Sequence, residues 1–182
     1  MKELSLHILD IAMNSVRAEC STLEVQIFEN TKSDLLKILV KDNGFGMCKE
    51  MVKSVLDPFS TTRTTRKIGL GIPLFKANAE NCNGDFIIES ELNVGTKVIA
   101  TFQLSNIDRP ILGNITSVVL MLITSHPNIE IIFSYNKNGN KFIITTSDIK
   151  SELGVISVQD SKVRKLLSDI ISSELEVLDI ID

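Results

Sequence analysis

Tryptophan is absent from the 182-residue sequence, tyrosine occurs once and proline four times. Cysteine is scarce as well: its three residues are far apart and form no C-x-x-C pair of the kind used for zinc binding or redox chemistry. Free cysteines usually behave as small buried hydrophobic residues. We therefore expect Cys20, Cys48 and Cys82 to be reduced and to serve mainly in packing.

Long apolar runs are also missing. The uncharged stretch from Ile111 to Pro127 is interrupted by glycine, asparagine and hydroxyl residues. It falls short of the roughly 20 apolar residues that a membrane-spanning helix needs. The N-terminal segment carries Glu3, His7 and Asp10 where a signal peptide would be apolar. We expect a cytoplasmic protein without a membrane segment.

The sequence also lacks a basic region. Lysine and arginine number 19 against 23 aspartate and glutamate residues, which gives a net charge of −4. Such a balance offers no electrostatic footprint for nucleic acid, so we expect no nucleic-acid partner. With 43% hydrophobic and 23% charged residues, the chain has the composition of a globular protein of about one domain.

The order of hydrophobic patterns predicts an α/β protein in two parts. Residues 1–105 are predicted to form a first domain, and residues 106–182 a helix–β-hairpin–helix extension. The predicted helices cover residues 2–20, 49–56, a segment from the glycines at 69–71 to about 83, 111–125, and a closing segment from about 160. The predicted strands cover residues 23–27, 36–40, 86–90, 97–104, 130–135 and 141–146.

Several short polar and glycine-containing segments follow one another in the first part. Glycine lets the backbone approach a phosphate closely, and a helix N-terminus adds partial positive charge. A single G-x-G would signify little more than a tight turn, so the combination and its order carry the argument. The segments are Asp10-x-x-x-Asn14, Asp42-Asn43-Gly44-Phe45-Gly46-Met47, Asp57-Pro58-Phe59-Ser60-Thr61-Thr62-Arg63, Gly69-Leu70-Gly71-Ile72 and Gly95-Thr96.

In this order the segments resemble the ATP-binding domain of the GHKL superfamily, the Bergerat fold. Histidine kinases, type II topoisomerases, the MutL mismatch-repair ATPases and the ninety-kilodalton heat-shock chaperone share this domain. The resemblance covers roughly residues 1–104. It implies a two-layer α/β sandwich with a mixed, mainly antiparallel sheet and helices on one face. It also implies that ATP and Mg²⁺ bind beneath a lid.

The resemblance assigns the adenine to the second segment. Asp42 would accept a hydrogen bond from the adenine amino group, and Met47 would pack against the base. Gly44 and Gly46 would keep the turn tight and leave room for the base; a plain turn is the alternative. Thr96 would reach the adenine edge directly or through water, although a threonine that starts a strand needs no function.

It assigns the metal and the phosphates to the first helix and the lid. Asn14 would hold Mg²⁺ through its amide oxygen, a hard ligand that suits this cation. Arg17 would lie beside the phosphates, or else be a solvated arginine. The other expected nucleotide contacts are Phe59, Thr61, Thr62, Arg63, Lys67, Gly69, Leu70 and Gly71. A generic solvated loop is the alternative for the lid.

Asp10 bears most on catalysis, because it lies one helical turn before Asn14 on the same face. In the hydrolytic branch and the anti-sigma serine kinases, the corresponding position resembles a glutamate that activates water or a serine hydroxyl. Aspartate is one methylene shorter, and a misplacement of about 1 Å can cost on the order of a hundredfold in rate. We expect Asp10 to be a slow catalytic base, or else only a residue of the Mg²⁺ shell or of the helix.

Two functions therefore stay open. The chain contains only His7 and His126, and the first motif leaves no room ahead of it for a phospho-accepting histidine domain, so we expect no autophosphorylation. The first function is an ATP-dependent kinase that phosphorylates Ser, Thr or His on an unidentified partner protein. The second is a nucleotide-gated binding module with slow or no hydrolysis. Residues 106–182 could pack on the first part, form a homodimer or bind the partner.

Overall fold

A computed structural model describes residues 2–57 and 71–180, the side chains of residues 179 and 180 excepted. Its helices are α1 (Leu4–Arg17), α2 (Lys49–Leu56), α3 (Gly71–Asn81), α4 (Ile115–Ser125), α5 (Thr146–Leu153) and α6 (Ser161–Ile180). Its strands are β1 (Thr22–Asn30), β2 (Leu35–Asp42), β3 (Phe86–Glu91), β4 (Gly95–Gln103), β5 (Glu130–Lys137) and β6 (Asn140–Thr145).

The six strands form one sheet in the order β3-β4-β2-β1-β5-β6. All neighbouring strands pair antiparallel except β1 and β5, which run parallel. Residues of one sheet face and the apolar faces of the helices form a common hydrophobic core. The predicted fold class, a two-layer α/β structure with a mixed, mainly antiparallel sheet, is confirmed.

The period-two pattern of β2 directs Leu36, Ile38 and Val40 into this core. The next inward position is Asp42, so the same alternation that buries three aliphatic side chains also buries a carboxylate. In helix α1 the residues that face the core recur with the helical period of 3.6. Its buried face continues from Leu4, Ile8, Ile11 and Ala12 to Ser15.

The C-terminal part extends the sheet of the first part. Strand β5 pairs with β1 along its length, from Thr22 opposite Glu130 to Glu29 opposite Lys137. Helix α4 packs on α1, and α6 packs on α4 and on the last two strands. Division of the chain at residue 106 stays a prediction, and the structure adds that both parts share one sheet and one core.

Two C-terminal helices differ from the sequence-based expectation. Helix α4 begins at Ile115 rather than near residue 111, because Gly113 has a φ of +77° and the Asn114 side chain caps the helix through Ser117 N at 2.8 Å. Helix α5 was not predicted, although the Thr145 hydroxyl accepts a hydrogen bond from Asp148 N at 3.0 Å. A threonine three residues before an acid is a typical start of a helix.

Helix α6 packs on the core along its length. Although acidic residues are frequent after Glu174, its end buries Leu175 and Leu178. No helix among the described residues has both the length and the apolar character to cross a bilayer.

The cysteines match the expectation that they are reduced. All three are free, and Cys20 and Cys82 are buried. Burial raises the pKa of the Cys20 thiol to about 11, and the negative charge of Asp42 adds to that rise. Cys20 is therefore a packing residue with a neutral thiol at physiological pH.

His7 joins α1 to α3 in the core. Its side chain is fully buried, its ring stacks on Phe75 with centroids 4.9 Å apart, and its Nε2 lies 2.8 Å from Asn78 Nδ2. Because the amide nitrogen can only donate, Nε2 accepts the hydrogen bond and the ring is neutral. Burial lowers the pKa of His7 from 6.5 to about 4.

This lowered pKa predicts a loss of stability in mild acid. Between about pH 6.5 and pH 4 the unfolded chain protonates His7 while the folded chain does not. Unfolding then takes up a proton, so the free energy of unfolding falls as the pH falls, by at most about 1.4 kcal/mol per pH unit from this group. Chemical denaturation at several pH values should show a shallower decline in His7→Gln than in the wild type. Equal slopes in His7→Gln and in the wild type would contradict the prediction.

Candidate functional site

A cavity of about 920 Å³ opens between α1, the turn after β2, β4 and the start of α3. It brings together residues that are far apart in the chain. The predicted site residues that line it are Asp10, Asn14, Arg17, Asp42, Gly46, Met47, Gly71 and Thr96. Gly44 does not line the cavity and contributes a backbone N–H to Asp42 instead. The remaining predicted contacts lie outside the described residues: Phe59, Thr61, Thr62, Arg63, Lys67, Gly69 and Leu70.

Asp42 is the buried charge of this cavity, with only 8% of its surface exposed. Its Oδ1 accepts hydrogen bonds from the backbone N–H groups of Gly44 (2.9 Å) and Thr96 (3.2 Å). Its Oδ2 accepts a bond from the Ser15 hydroxyl at 2.6 Å. Burial of a carboxylate costs several kcal/mol unless its oxygens are hydrogen-bonded, and these three donors offset that cost.

A pair of hydroxyl groups adjoins the carboxylate. The oxygens of Ser90 and Thr96 lie 2.8 Å apart, and Ser90 Oγ accepts a bond from Met47 N at 2.8 Å. Ser90 also donates to the Gly95 carbonyl at 2.9 Å. These bonds tie the turn that carries Met47 to the β3–β4 hairpin that carries Thr96.

The glycines of this region are required by close backbone packing. A Cβ on Gly46, where φ is +64°, would lie 2.0 Å from the Glu91 carbonyl oxygen. A Cβ on Gly44 would lie 2.4 Å from the Ala18 carbonyl oxygen at the end of α1. At both glycines, neighbouring backbone occupies the space that a Cβ would need. The absence of a side chain therefore allows the turn to pack directly against its neighbours.

Asp10, Asn14 and Arg17 lie on the exposed face of α1, at the mouth of the cavity. Arg17 Nη1 donates a hydrogen bond to Asn14 Oδ1 at 2.9 Å, the oxygen that the family resemblance assigns to Mg²⁺. The Asp10 carboxylate lies against α3: a Cβ on Gly71 would be 2.7 Å from Asp10 Oδ2. The first motif thus meets the fourth at the start of α3.

The charge of the described lining is slightly negative, with Asp10 and Asp42 against Arg17. A polyanionic ligand would need further positive charge to bind there. The sequence carries three basic residues, Arg63, Arg66 and Lys67, in the segment that lies outside the described residues.

Sequence reasoning missed Ser15 and the apolar walls of the cavity. Ile11, Ile72, Ile88 and Val98 contribute aliphatic surface to the lining. Ser15 could have been found from two periodicities together. It is a polar residue on the apolar face of α1, just as Asp42 is a polar residue at an inward position of β2.

A model of the family of histidine kinase-, DNA gyrase B-, and HSP90-like ATPases matches residues 2–106. The chain belongs to this family, as the motifs predicted.

Among curated relatives, a probable C4-dicarboxylate sensor kinase of Halalkalibacterium halodurans is 37% identical over 87 residues, which cover 46% of this chain and 16% of the relative. Sensor protein RprX of Bacteroides fragilis is 39% identical over 74 residues, 38% of this chain and 14% of the relative. Histidine protein kinase SaeS of Staphylococcus aureus is 27% identical over 88 residues, which cover 46% of this chain and 25% of the relative. The chain spans a quarter or less of the length of these relatives. Its ATPase domain is similar to the catalytic domains of histidine kinases.

Two solved structures share the fold. The Aquifex aeolicus MutL ATPase domain complexed with ADP has a TM-score of 0.50 at 17% identity, and covers 92% of this chain and 69% of its own. The N-terminal domain of a DNA repair protein has a TM-score of 0.58 at 13% identity, and the match covers 85% of this chain and 58% of that domain. Coverage this high includes part of residues 106–182, so the likeness in fold extends beyond the first part.

Close packing at Gly46 predicts a stability difference between two glycine variants. Gly46→Ala should lower the free energy of unfolding by more than the roughly 1–2 kcal/mol that a left-handed backbone costs a residue with a side chain. Gly139 is the matched control, because its φ is +96° and a Cβ there meets nothing within 4 Å. If backbone conformation alone decided the outcome, Gly46→Ala would lose less stability than Gly139→Ala, because alanine adopts a φ of +64° more easily than one of +96°. Denaturation that shows an equal or smaller loss in Gly46→Ala than in Gly139→Ala would contradict the packing argument.

Proposed function

We propose that the chain binds Mg-ATP in this cavity and uses it to phosphorylate or regulate a partner protein. The observation that carries the proposal is the Asp42 carboxylate, which is buried, lines the cavity and is bonded by three protein donors. A carboxylate has about four acceptor positions, so one remains for a ligand that donates a hydrogen bond. The amino group of adenine is such a donor.

The described residues fit an adenine nucleotide. The cavity lies within the range of roughly 300–1,000 Å³ typical of small-molecule sites. Its walls offer the aliphatic side chains of Ile88 and Val98 and the thioether of Met47 to a flat base. The site therefore combines apolar surface with one oriented acceptor, as a site for a purine base requires.

Asn14 is the residue proposed to hold Mg²⁺. Its amide oxygen is a suitable hard ligand, and bound Mg²⁺ would offset phosphate charge that the described lining does not offset. In the structure Arg17 occupies one of the two lone pairs of that oxygen, which leaves the other for the ion. The Arg17 guanidinium is proposed to bind phosphate beside it. Asp10, one turn before Asn14, is the proposed base that accepts the proton of an attacking hydroxyl.

A partner protein is part of the proposal. The similar proteins named above are sensor and histidine kinases, and they are much longer than the segment matched here. By analogy, we place this chain in cytoplasmic signal transduction, with an unidentified protein as its phosphoryl acceptor or client. Serine, threonine and histidine all remain candidate acceptors.

A nucleotide-gated binding module is the second candidate. The observation in its favour is that Asp10 packs against Gly71 and is a shorter acid than the glutamate of hydrolytic relatives. In such a module, bound ATP changes the surface offered to the partner and is hydrolysed slowly or not at all. The two candidates differ in ATP consumption after the partner is added. A kinase consumes ATP at that point, whereas a binding module hydrolyses it slowly or not at all.

The proposal predicts a preference for the adenine base. ITP carries a carbonyl oxygen where ATP carries the amino group, so it presents an acceptor to the Asp42 carboxylate. A hydrogen bond to a charged group contributes about 1.5–3 kcal/mol, which corresponds to at least about tenfold in affinity. Isothermal titration calorimetry of the wild type in excess Mg²⁺ should give a Kd for ATP at least about tenfold below that for ITP. Equal dissociation constants would contradict a role for Asp42 in base recognition.

A further inference from the structure

Ser15 makes the one side-chain hydrogen bond to Asp42 found among the described residues. Its side chain is 2% exposed, and its hydroxyl lies 2.6 Å from Asp42 Oδ2. A serine inside a helix can bond to the carbonyl four residues earlier. Here that oxygen, of Ile11, is 3.4 Å away, so the hydroxyl proton points to the carboxylate. The short distance is typical of a charge-assisted bond.

The two oxygens of Asp42 are held in different ways. Oδ1 is held by backbone N–H groups of Gly44 and Thr96, which belong to the turn and to β4. Among the described residues, Oδ2 is held by Ser15 alone. The terminal torsion of an aspartate is broad, so two bonds on Oδ1 leave the plane of the carboxylate poorly defined. The hydroxyl on Oδ2 defines that plane and the direction of the remaining lone pair.

We propose that Ser15 is a positioning residue that makes the site selective for a base whose exocyclic group donates a hydrogen bond, as the amino group of adenine does. By bonding one lone pair of Oδ2, the Ser15 hydroxyl directs the other toward the cavity, which Asp42 and Ser15 both line. A donor on the ligand then meets an oriented acceptor. A ligand acceptor meets the same oxygen at the same place and is repelled. This inference rests on the proposed function, because it assumes that Asp42 recognises the base.

Loss of the hydroxyl should weaken selectivity more than it weakens the fold. In Ser15→Ala the carboxylate keeps its two backbone bonds but loses the one that orients Oδ2. We expect the Kd for ATP to rise by about three- to tenfold, as for the loss of one hydrogen bond. We expect the Kd for ITP to change little, so the preference for ATP over ITP shrinks. Ser15→Thr keeps a hydroxyl and should retain most of the preference.

The experiment is calorimetric titration of the full chain with Mg-ATP and with Mg-ITP. Ser5→Ala is the matched control, because Ser5 is also a buried serine of α1 but bonds to Glu3 at 3.3 Å rather than to Asp42. Thermal unfolding of each variant separates a loss of binding from a loss of fold. A structural role alone would lower stability without changing the ATP-to-ITP ratio.

The outcomes distinguish this inference from the proposed function. A reduced ATP-to-ITP preference in Ser15→Ala, with most of the preference retained in Ser15→Thr and all of it in Ser5→Ala, would support the positioning role. A wild type that prefers ATP, together with a Ser15→Ala variant that keeps the whole preference, would overturn the role of Ser15 and leave the proposed function standing. A wild type that binds ATP and ITP equally would overturn base recognition by Asp42 and with it the role of Ser15. A wild type that binds no Mg-ATP would overturn the proposed function itself.

Discussion

The geometry of the cavity depends on the burial of one carboxylate. Asp42 is 8% exposed at the end of β2, where the alternation of the strand directs it inward. An uncompensated charge there would cost several kcal/mol. The donors that compensate it come from α1, from the turn after β2 and from β4, through Ser15, Gly44 and Thr96. Stabilising this carboxylate therefore requires three elements to meet at one point, and that point is the wall of the cavity.

The surrounding backbone is packed to keep these elements together. A Cβ on Gly95 would lie 2.0 Å from the Asp42 carbonyl oxygen, and one on Gly44 would meet the end of α1. The mouth of the cavity is formed by Asp10, Asn14 and Arg17, which are exposed side chains on one helix face. The structure thus pairs a closely packed wall with a rim of exposed polar side chains.

Local patterns were enough to predict much of this arrangement. The helical spacing in α1 and the alternation in β2 give the positions of Asn14 and Asp42, and the order of the motifs indicated the family. The parallel pairing of β1 with β5 was not predictable, because residues about a hundred positions apart share no local signal. Nor was the bond from Arg17 to Asn14, since two exposed side chains choose partners by conformations that spacing does not determine.

The most direct test of the central claim is the affinity of Asp42→Asn for Mg-ATP. Asparagine keeps the shape of the side chain but replaces one acceptor oxygen with a donor, and Ser15 can turn its hydroxyl to accept. Asp169→Asn removes the same charge from the exposed face of α6 and is the matched control. If Asp42 recognises the adenine amino group, calorimetry will show at least about a tenfold rise in Kd for Asp42→Asn alone. An unchanged Kd in a folded Asp42→Asn variant would contradict the account.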